Sequence, residues 1–397
     1  MMNGDNTNMT ARQKTSADLV IIGGGIMGLW AAYHAEKAGI ETLLIDRDAP
    51  GRGASNGLLG ALMAYMPDQW DEKKQFQFEA LAALEDQLRL LEEETGLETG
   101  YRRSGRVMPL YQERQLKTAQ LRADEAAINW RLGDHRFEWK VIEEPPDPDW
   151  PSWSEGALAY VHETLAAHVA PRGVVAALKA FLATARHIRI IRAEVAAIDA
   201  GANGIVLSDG ERIGFGKAIV SAGVEAFSLL QPLWAPEGQP LGRPVKGQAA
   251  LLAADCDPAL PIFFDNGLYV IAHPGGRVAI GSTSEDEFDA AYATDDKLEA
   301  LIAAARAAIP ALRDAPVIER WAGLRPRGVH REPMIGALQS VPDVIALGGG
   351  FKTSFGVANR LAGHAIGLAS GNTPCAQDLP DIYNLEIYLQ RANKNLG

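Results

Sequence analysis

Three glycines near the amino terminus have the clearest capacity for chemistry. In "DLVIIGGGIMGLWAAYHAEKAGIETLLID", residues 18–46, Gly23, Gly25 and Gly28 give the spacing GxGxxG. The apolar run Leu19 to Ile22 reads as a buried strand, Ile26 to Lys37 as a helix, and Glu41 to Ile45 as a second strand ending at Asp46. In such a unit the first glycine makes a tight turn and the second lets backbone approach a pyrophosphate. The third lets helix pack closely on strand. The N–H groups of Ile26 and Met27, with the helix dipole, favour that negative charge. Asp46, followed by Arg47, falls where a carboxylate accepts from ribose hydroxyls. The order of strand, glycines, helix, strand and acid points to dinucleotide binding, although the motif alone does not choose between NAD and FAD.

The rest of the chain must supply the walls of that site. Its 397 residues suffice for a large core and predict two domains. A net charge of −12 argues against nucleic acid as a partner, because no basic field meets phosphates. The two cysteines, Cys256 and Cys375, form no CxxC, and the eight histidines are dispersed. No metal site is indicated, and a reduced, cytoplasmic protein is expected. The polar residues 1–17 read as a flexible leader, and no apolar run is long enough to span a bilayer.

After the first unit comes "RDAPGRGASNGLLGALMAYMPD", a glycine-rich loop too long for a simple connection. Residues 71–95 read as a helix with Phe76, Leu81, Leu84, Leu88 and Leu91 on one face, and 113–130 as another. "PRGVVAALKAFLATA" is a further helix. The runs from "IRIIRAEVAAIDAG" to "KAIVSAG" read as a hairpin meander returning to a buried strand at Ala218 to Ser221. "LYVIAHPGGRVAIGST" is a hairpin, 295–308 a helix, and "VIALGGGFKTSFGVANRLAGHAIGLASG" a strand, a glycine turn and a long helix. The expected class is α/β. A Rossmann-like dinucleotide domain takes residues 18–60, 155–240 and 321–375. An interleaved mixed β-sheet substrate domain takes 61–154 and 241–320, with a C-terminal tail at 376–397. Such interleaving suits a flavoprotein better than an NAD dehydrogenase with two successive domains.

Four stretches together resemble the D-amino-acid oxidase-like flavoprotein family, in particular its glycine oxidase and sarcosine oxidase branch. They are GGGIMG, "GASNGLLGALM", "AGLRPRGVHREPMIG" at 322–336 and "GGGFKTSFGV" at 348–357. The resemblance, over about residues 18–372, implies FAD and oxidation of a C–N bond by hydride transfer to the flavin. It places Ser55, Asn56 and Leu58 beneath the cofactor, Val195 against adenine, and Ala222 and Gly223 beside the adenosine–pyrophosphate portion. Gly350, Phe351, Lys352, Thr353 and Ser354 would lie at the pyrimidine edge of the flavin, where a helix start near Ser354 stabilises the charge of the reduced ring.

For the substrate, the resemblance implies that Arg325 and Lys352 hold a carboxylate, with Arg325 also lining the cofactor and Tyr269 shaping the pocket. A guanidinium makes a bidentate pair with such a group. His273 and His330 are further pocket candidates, each read more readily as a surface or satisfied structural histidine. No cysteine occurs in "WAGLRP", so the FAD is expected to be non-covalent. Ala279 stands where sarcosine oxidases carry an oxygen-activating lysine, which leaves the electron acceptor open. No strong general base is evident, and hydride transfer from a neutral amine requires none. A 2-hydroxy-acid dehydrogenase on the same fold, with His273 or His330 as base, and a flavin-binding relay subunit of a larger complex are the alternative readings. A homo-oligomer or a partner subunit is left open.

Overall fold

The computed structural model describes residues 15–152, 154–234, 238, 240–371 and 379–394. Most of the expected leader, Cys375 and both ends of the expected tail lie outside them. The first strand, Thr15–Ile22, starts earlier than the polar reading of residues 1–17 implied: Thr15, Ser16 and Ala17 pair with Ile213, Gly214 and Phe215. It is central to an eight-stranded sheet. Thr42–Asp46 and Arg212–Val220 flank it in parallel, and Ile188–Arg192 adds a parallel edge beyond Thr42–Asp46. That edge strand is therefore separate from the meander, whose runs are Val195–Asp199, Gly204–Leu207 and Arg212–Val220.

The Arg212–Val220 strand divides its far edge between two partners. Its first residues pair antiparallel with Gly204–Leu207, and Ala218, Ile219 and Val220 pair parallel with Val344, Ile345 and Ala346. Val341–Gly348 in turn carries Met334–Leu338 as an antiparallel neighbour.

The helices are α1 (Ile26–Lys37), α2 (Glu72–Thr95), α3 (Glu113–Asn129), α4 (Pro171–Ala183), α5 (Glu225–Trp234), α6 (Asp296–Ala308), α7 (Ser354–Ser370) and α8 (Leu385–Lys394). Alternation along the central strand sorts them. Leu19 and Ile21 pack with Leu29 and Trp30 of α1, Leu178 of α4 and Leu361 of α7. Val20 and Ile22 pack on the other face with Phe227 and Leu230 of α5 and Leu385 and Tyr388 of α8. A parallel sheet buried on both faces needs apolar residues at successive positions, which explains the unbroken run "LVII". α8 also replaces the expected tail with a packed element. The Tyr388 hydroxyl donates to the Leu241 carbonyl at 2.6 Å and accepts from the Val329 N–H at 2.5 Å.

The second sheet, also eight-stranded, is mostly antiparallel. Its twelve-residue strands Gly242–Ala253 and Val317–Gly328 pair along almost their whole length. Ala159–Glu163 and all of Val317–Gly328 belong to this sheet, although they fall partly or wholly in 155–240 and 321–375. The prolines and glycines of "AGLRPRG" hide a strand whose partner is distant in sequence. Leu268–His273 shows how the sheet divides its faces. Val270 and Ala272 pack on Leu298 and Ile302 of α6, while Tyr269 and Ile271 turn to the opposite face, toward Leu59, Ala61 and Met63.

Candidate active site

Because the main strands of the first sheet are parallel, their carboxyl ends bring several turns to one edge. Gly23 follows the first strand with φ +101°, and a Cβ there would lie 2.6 Å from the Ala222 Cα. A Cβ at Gly28 would lie 1.8 Å from the Gly23 carbonyl oxygen, so α1 sits too close to the turn for any side chain. At Gly25 the nearest atom is the Ser55 Oγ at 3.4 Å, an ordinary contact. Protein fills the space at the first and third glycines and leaves it free at the second. That is the arrangement a pyrophosphate approaching the start of α1 requires.

Side chains brace this turn. The Gly24 N–H donates to Asp46 Oδ2 at 2.6 Å, and the Asp48 N–H to Oδ1 at 2.8 Å. The Ser221 hydroxyl donates to the Gly23 carbonyl at 2.9 Å. Ser55 accepts from the Ile26 N–H at 2.9 Å, which ties the small-residue loop to the start of α1. Arg47 pairs with Glu225 at 2.9 Å, and the Ala193 N–H, two residues before Val195, donates to the Asp46 carbonyl at 2.9 Å. Gly223 turns with φ +64°. Leu58 is buried, and the Asn56 carbonyl accepts from Arg172 at 3.1 Å.

The last glycine turn arrives from the other end of the chain. Gly350 bridges Arg327 of the second sheet, and a Cβ there would lie 2.7 Å from Ser354 Oγ and 3.0 Å from Met27 Cε. Both glycine turns thus meet through Met27. Phe351 holds φ +46°, a sparsely populated region for a residue with a side chain, and Thr353 donates to the Gly350 carbonyl at 2.8 Å. α7 starts at Ser354.

Arg325 lies in the Val317–Gly328 strand, opposite Val245. Its guanidinium folds across Gly247, where a Cβ would lie 2.0 Å from Nη1, and Nη1 donates to the Thr283 carbonyl at 3.0 Å. Burial draws the Arg325 pKa down to about 10 against the favourable fields of Tyr269 and Glu285, so the group stays charged at neutral pH. Burial raises the Tyr269 pKa, opposed by Arg106 and Arg325. Burial, then the fields of Arg325 and Arg331, lower the Lys352 pKa. Arg325, Tyr269 and Lys352 therefore share one electrostatic neighbourhood. Tyr269 also leans on Phe264 at 4.6 Å between ring centroids.

The two histidine candidates each have packing partners of their own. His273 Nε2 is 3.1 Å from the Leu59 carbonyl, and its ring meets His168 edge-on at 5.3 Å. His330 packs edge-on against Tyr388 of α8 at 5.6 Å. Ala279 is fully buried between the Leu251 and Ile271 positions. Sequence reading overlooked Gly247, although a lone glycine inside a strand marks a close approach. Thr283 acts through its backbone carbonyl and carried no such signal.

The DAO family, FAD-dependent oxidoreductase, matches residues 18–363. A glycine oxidase from Geobacillus kaustophilus is 27% identical over 342 residues, 80% of this chain and 84% of that protein. The bifunctional protein ThiO/ThiG of Trichormus variabilis is 25% identical over 83% of this chain, which spans about half (49%) of that relative. An iminodiacetate oxidase from Chelativorans sp. BNC1 superposes with a TM-score of 0.79 at 22% identity, over 92% of this chain and 98% of that one. No described helix is long and apolar enough to cross a membrane. With the family match running from the first glycine turn into α7, the chain belongs to the DAO family of FAD-dependent oxidoreductases.

Proposed function

We propose that this chain oxidises the C–N bond of an amino acid or N-alkyl amino acid, with FAD held non-covalently. The observation that carries the reading is the Arg325 guanidinium folded over Gly247 within the field of Tyr269 and Lys352. Gly23, Gly25, Gly28, the start of α1 and Asp46 would hold the adenosine diphosphate portion, and Gly350 to Ser354 the flavin edge. Bound FAD supplies an acceptor for the hydride of a C–H bond next to nitrogen, and water hydrolyses the resulting imine. Arg325 holds the substrate carboxylate through paired hydrogen bonds, Lys352 adds a second cation, and Tyr269 limits the pocket. The substrate amine reacts in its neutral form, from which hydride transfer requires no general base. The relatives named glycine oxidase support this chemistry. With Cys256 unpaired, a reducing cytoplasmic setting fits.

The test is an anaerobic visible spectrum of the FAD-loaded protein during addition of glycine, sarcosine, D- and L-amino acids, N-alkyl amino acids and 2-hydroxy acids. Bleaching by an amino-acid class, lost in Arg325→Ala, is expected. Bleaching by hydroxy acids alone would replace this reading with a dehydrogenase. A yellow protein that nothing bleaches would replace it with a partner-dependent subunit.

A further inference from the structure

Behind Arg325 lies a buried polar cluster that the proposed chemistry does not use. Glu285 and Gln248 are 7% and 0% exposed. The Glu285 carboxylate accepts from the Thr283 hydroxyl at 2.6 Å, Gln248 Nε2 at 2.8 Å and Lys297 Nζ at 2.7 Å. The Gln248 N–H donates to Thr283 Oγ1 at 2.9 Å, and Lys246 and Glu285 exchange backbone hydrogen bonds, both at 2.9 Å. Gln248 Nε2 and Lys246 Nζ also reach Asp295, at 2.8 and 3.3 Å. The result is a turn, residues 283–285, pinned to the Gly242–Ala253 strand. The carbonyl this turn presents, that of Thr283, accepts from Arg325 Nη1 at 3.0 Å.

We infer that Glu285 is a positioning residue, which fixes the Thr283 carbonyl and through it the Arg325 guanidinium that faces the substrate carboxylate. The inference rests on the role proposed for Arg325. Two constraints set the rotamer of that side chain. Gly247 leaves room for the guanidinium to lie flat on the strand, and Thr283 takes one of its N–H groups. The remaining N–H donors are then presented in a fixed orientation, so less rotamer freedom is lost on binding a ligand. Without the carboxylate the turn loses three hydrogen bonds at its centre, one of them from the Lys297 ammonium, and Arg325 regains its freedom.

A positioning role for Glu285 differs from a purely structural one in what it leaves alone. The link from this turn to the glycine turns runs through the next residue, Asp286, which pairs with Arg327 at 2.9 Å beside Gly350, and not through the Glu285 carboxylate, so cofactor binding should survive its loss. The probe is acetate, the simplest carboxylate, titrated into the FAD-loaded protein and read by perturbation of the flavin spectrum. Arg325→Ala should abolish the perturbation. Glu285→Gln and Thr283→Val should each weaken acetate binding about tenfold, the scale of one hydrogen bond to a charged group. Both variants should melt lower, since buried hydrogen bonds are lost, but FAD content at the assay temperature should stay unchanged, and Thr283→Ser, which keeps the hydroxyl, should bind as the parent does. If Arg325→Ala abolishes binding while Glu285→Gln and Thr283→Val leave it intact, the positioning role is overturned and the role of Arg325 survives. If Arg325→Ala binds acetate normally, the carboxylate-anchor reading fails and the positioning role with it. Acetate affinity that falls only in step with FAD content would overturn the inference in favour of plain stability. Should Glu285→Gln prove insoluble, the Thr283→Val and Thr283→Ser pair decides alone.

Discussion

The two ends of the site are built in different ways. At the dinucleotide end, Gly23, Gly25 and Gly28 lie within six residues and act through backbone geometry set by neighbours in sequence. At the proposed substrate end, Arg325, Gly247 and Thr283 come from three strands or turns, and the guanidinium takes its place because two distant segments make room for it. A backbone cradle tolerates no side chain at its fixed points. A cross-strand device can lose one part and keep the fold. Substitutions at the two ends should therefore fail differently.

The largest expected effect is at Gly28. Gly28→Ala would put a methyl group 1.8 Å from the Gly23 carbonyl. The α1 turn cannot relax without opening the sheet, so loss of at least about 3 kcal/mol of stability is expected, with a colourless or insoluble product. Gly25→Ala meets no such clash and should melt like the parent while failing to retain FAD; retention of FAD there would break the cradle interpretation. Next comes Arg325→Ala, which should keep the flavin spectrum and lower kcat/KM by about a hundredfold to a thousandfold, or about 3–4 kcal/mol.

A third effect is set by pH rather than substitution. Burial first lowers the His168 pKa from 6.5 to about 4, and the His273 ring and Arg102 act in the same direction against the Pro258 carbonyl hydrogen bond. The unfolded chain binds this proton near 6.5 and the folded chain refuses it until about 4, so stability falls as pH drops through that window. The loss approaches about 3 kcal/mol at the acid end. Urea melts at stepped pH should show that slope, reduced in His168→Gln. The smallest effect is expected for Gly247→Ala. Its methyl group meets only the end of a flexible side chain, so the protein should fold while KM rises about tenfold as Arg325 is displaced.

This contrast explains what could be read in advance. The first glycine turn, the α7 start at Ser354 and the helices Glu72–Thr95 and Asp296–Ala308 follow from local pattern: periodicity, turn residues and caps such as Asp71, which accepts from the Lys74 N–H. Val317–Gly328 was not legible as one long strand, because its identity lies in register with Gly242–Ala253 rather than in its own residues. Likewise α8 carries a readable signal, Leu385, Tyr388 and Ala392 on one stripe, yet its burial depends on a groove built by remote segments. His273 and His330 show the converse limit. Residue type suggested chemistry, but the partners, Leu59 with His168 and Tyr388, decide where each ring lies.

The divided edge of the Arg212–Val220 strand has a consequence for synthesis of the chain. Until residues 341–348 have left the ribosome, the end of that strand, Ala218 to Val220, presents unpaired backbone groups and an apolar surface. The intervening 120 residues or so, most of the second sheet among them, must be made first, so this edge waits through several seconds of elongation at about 5–20 residues per second. An open strand edge held that long is a template for pairing between nascent chains. Yield of native protein should accordingly depend more on chaperone capacity and growth temperature than the stability of the finished molecule would indicate.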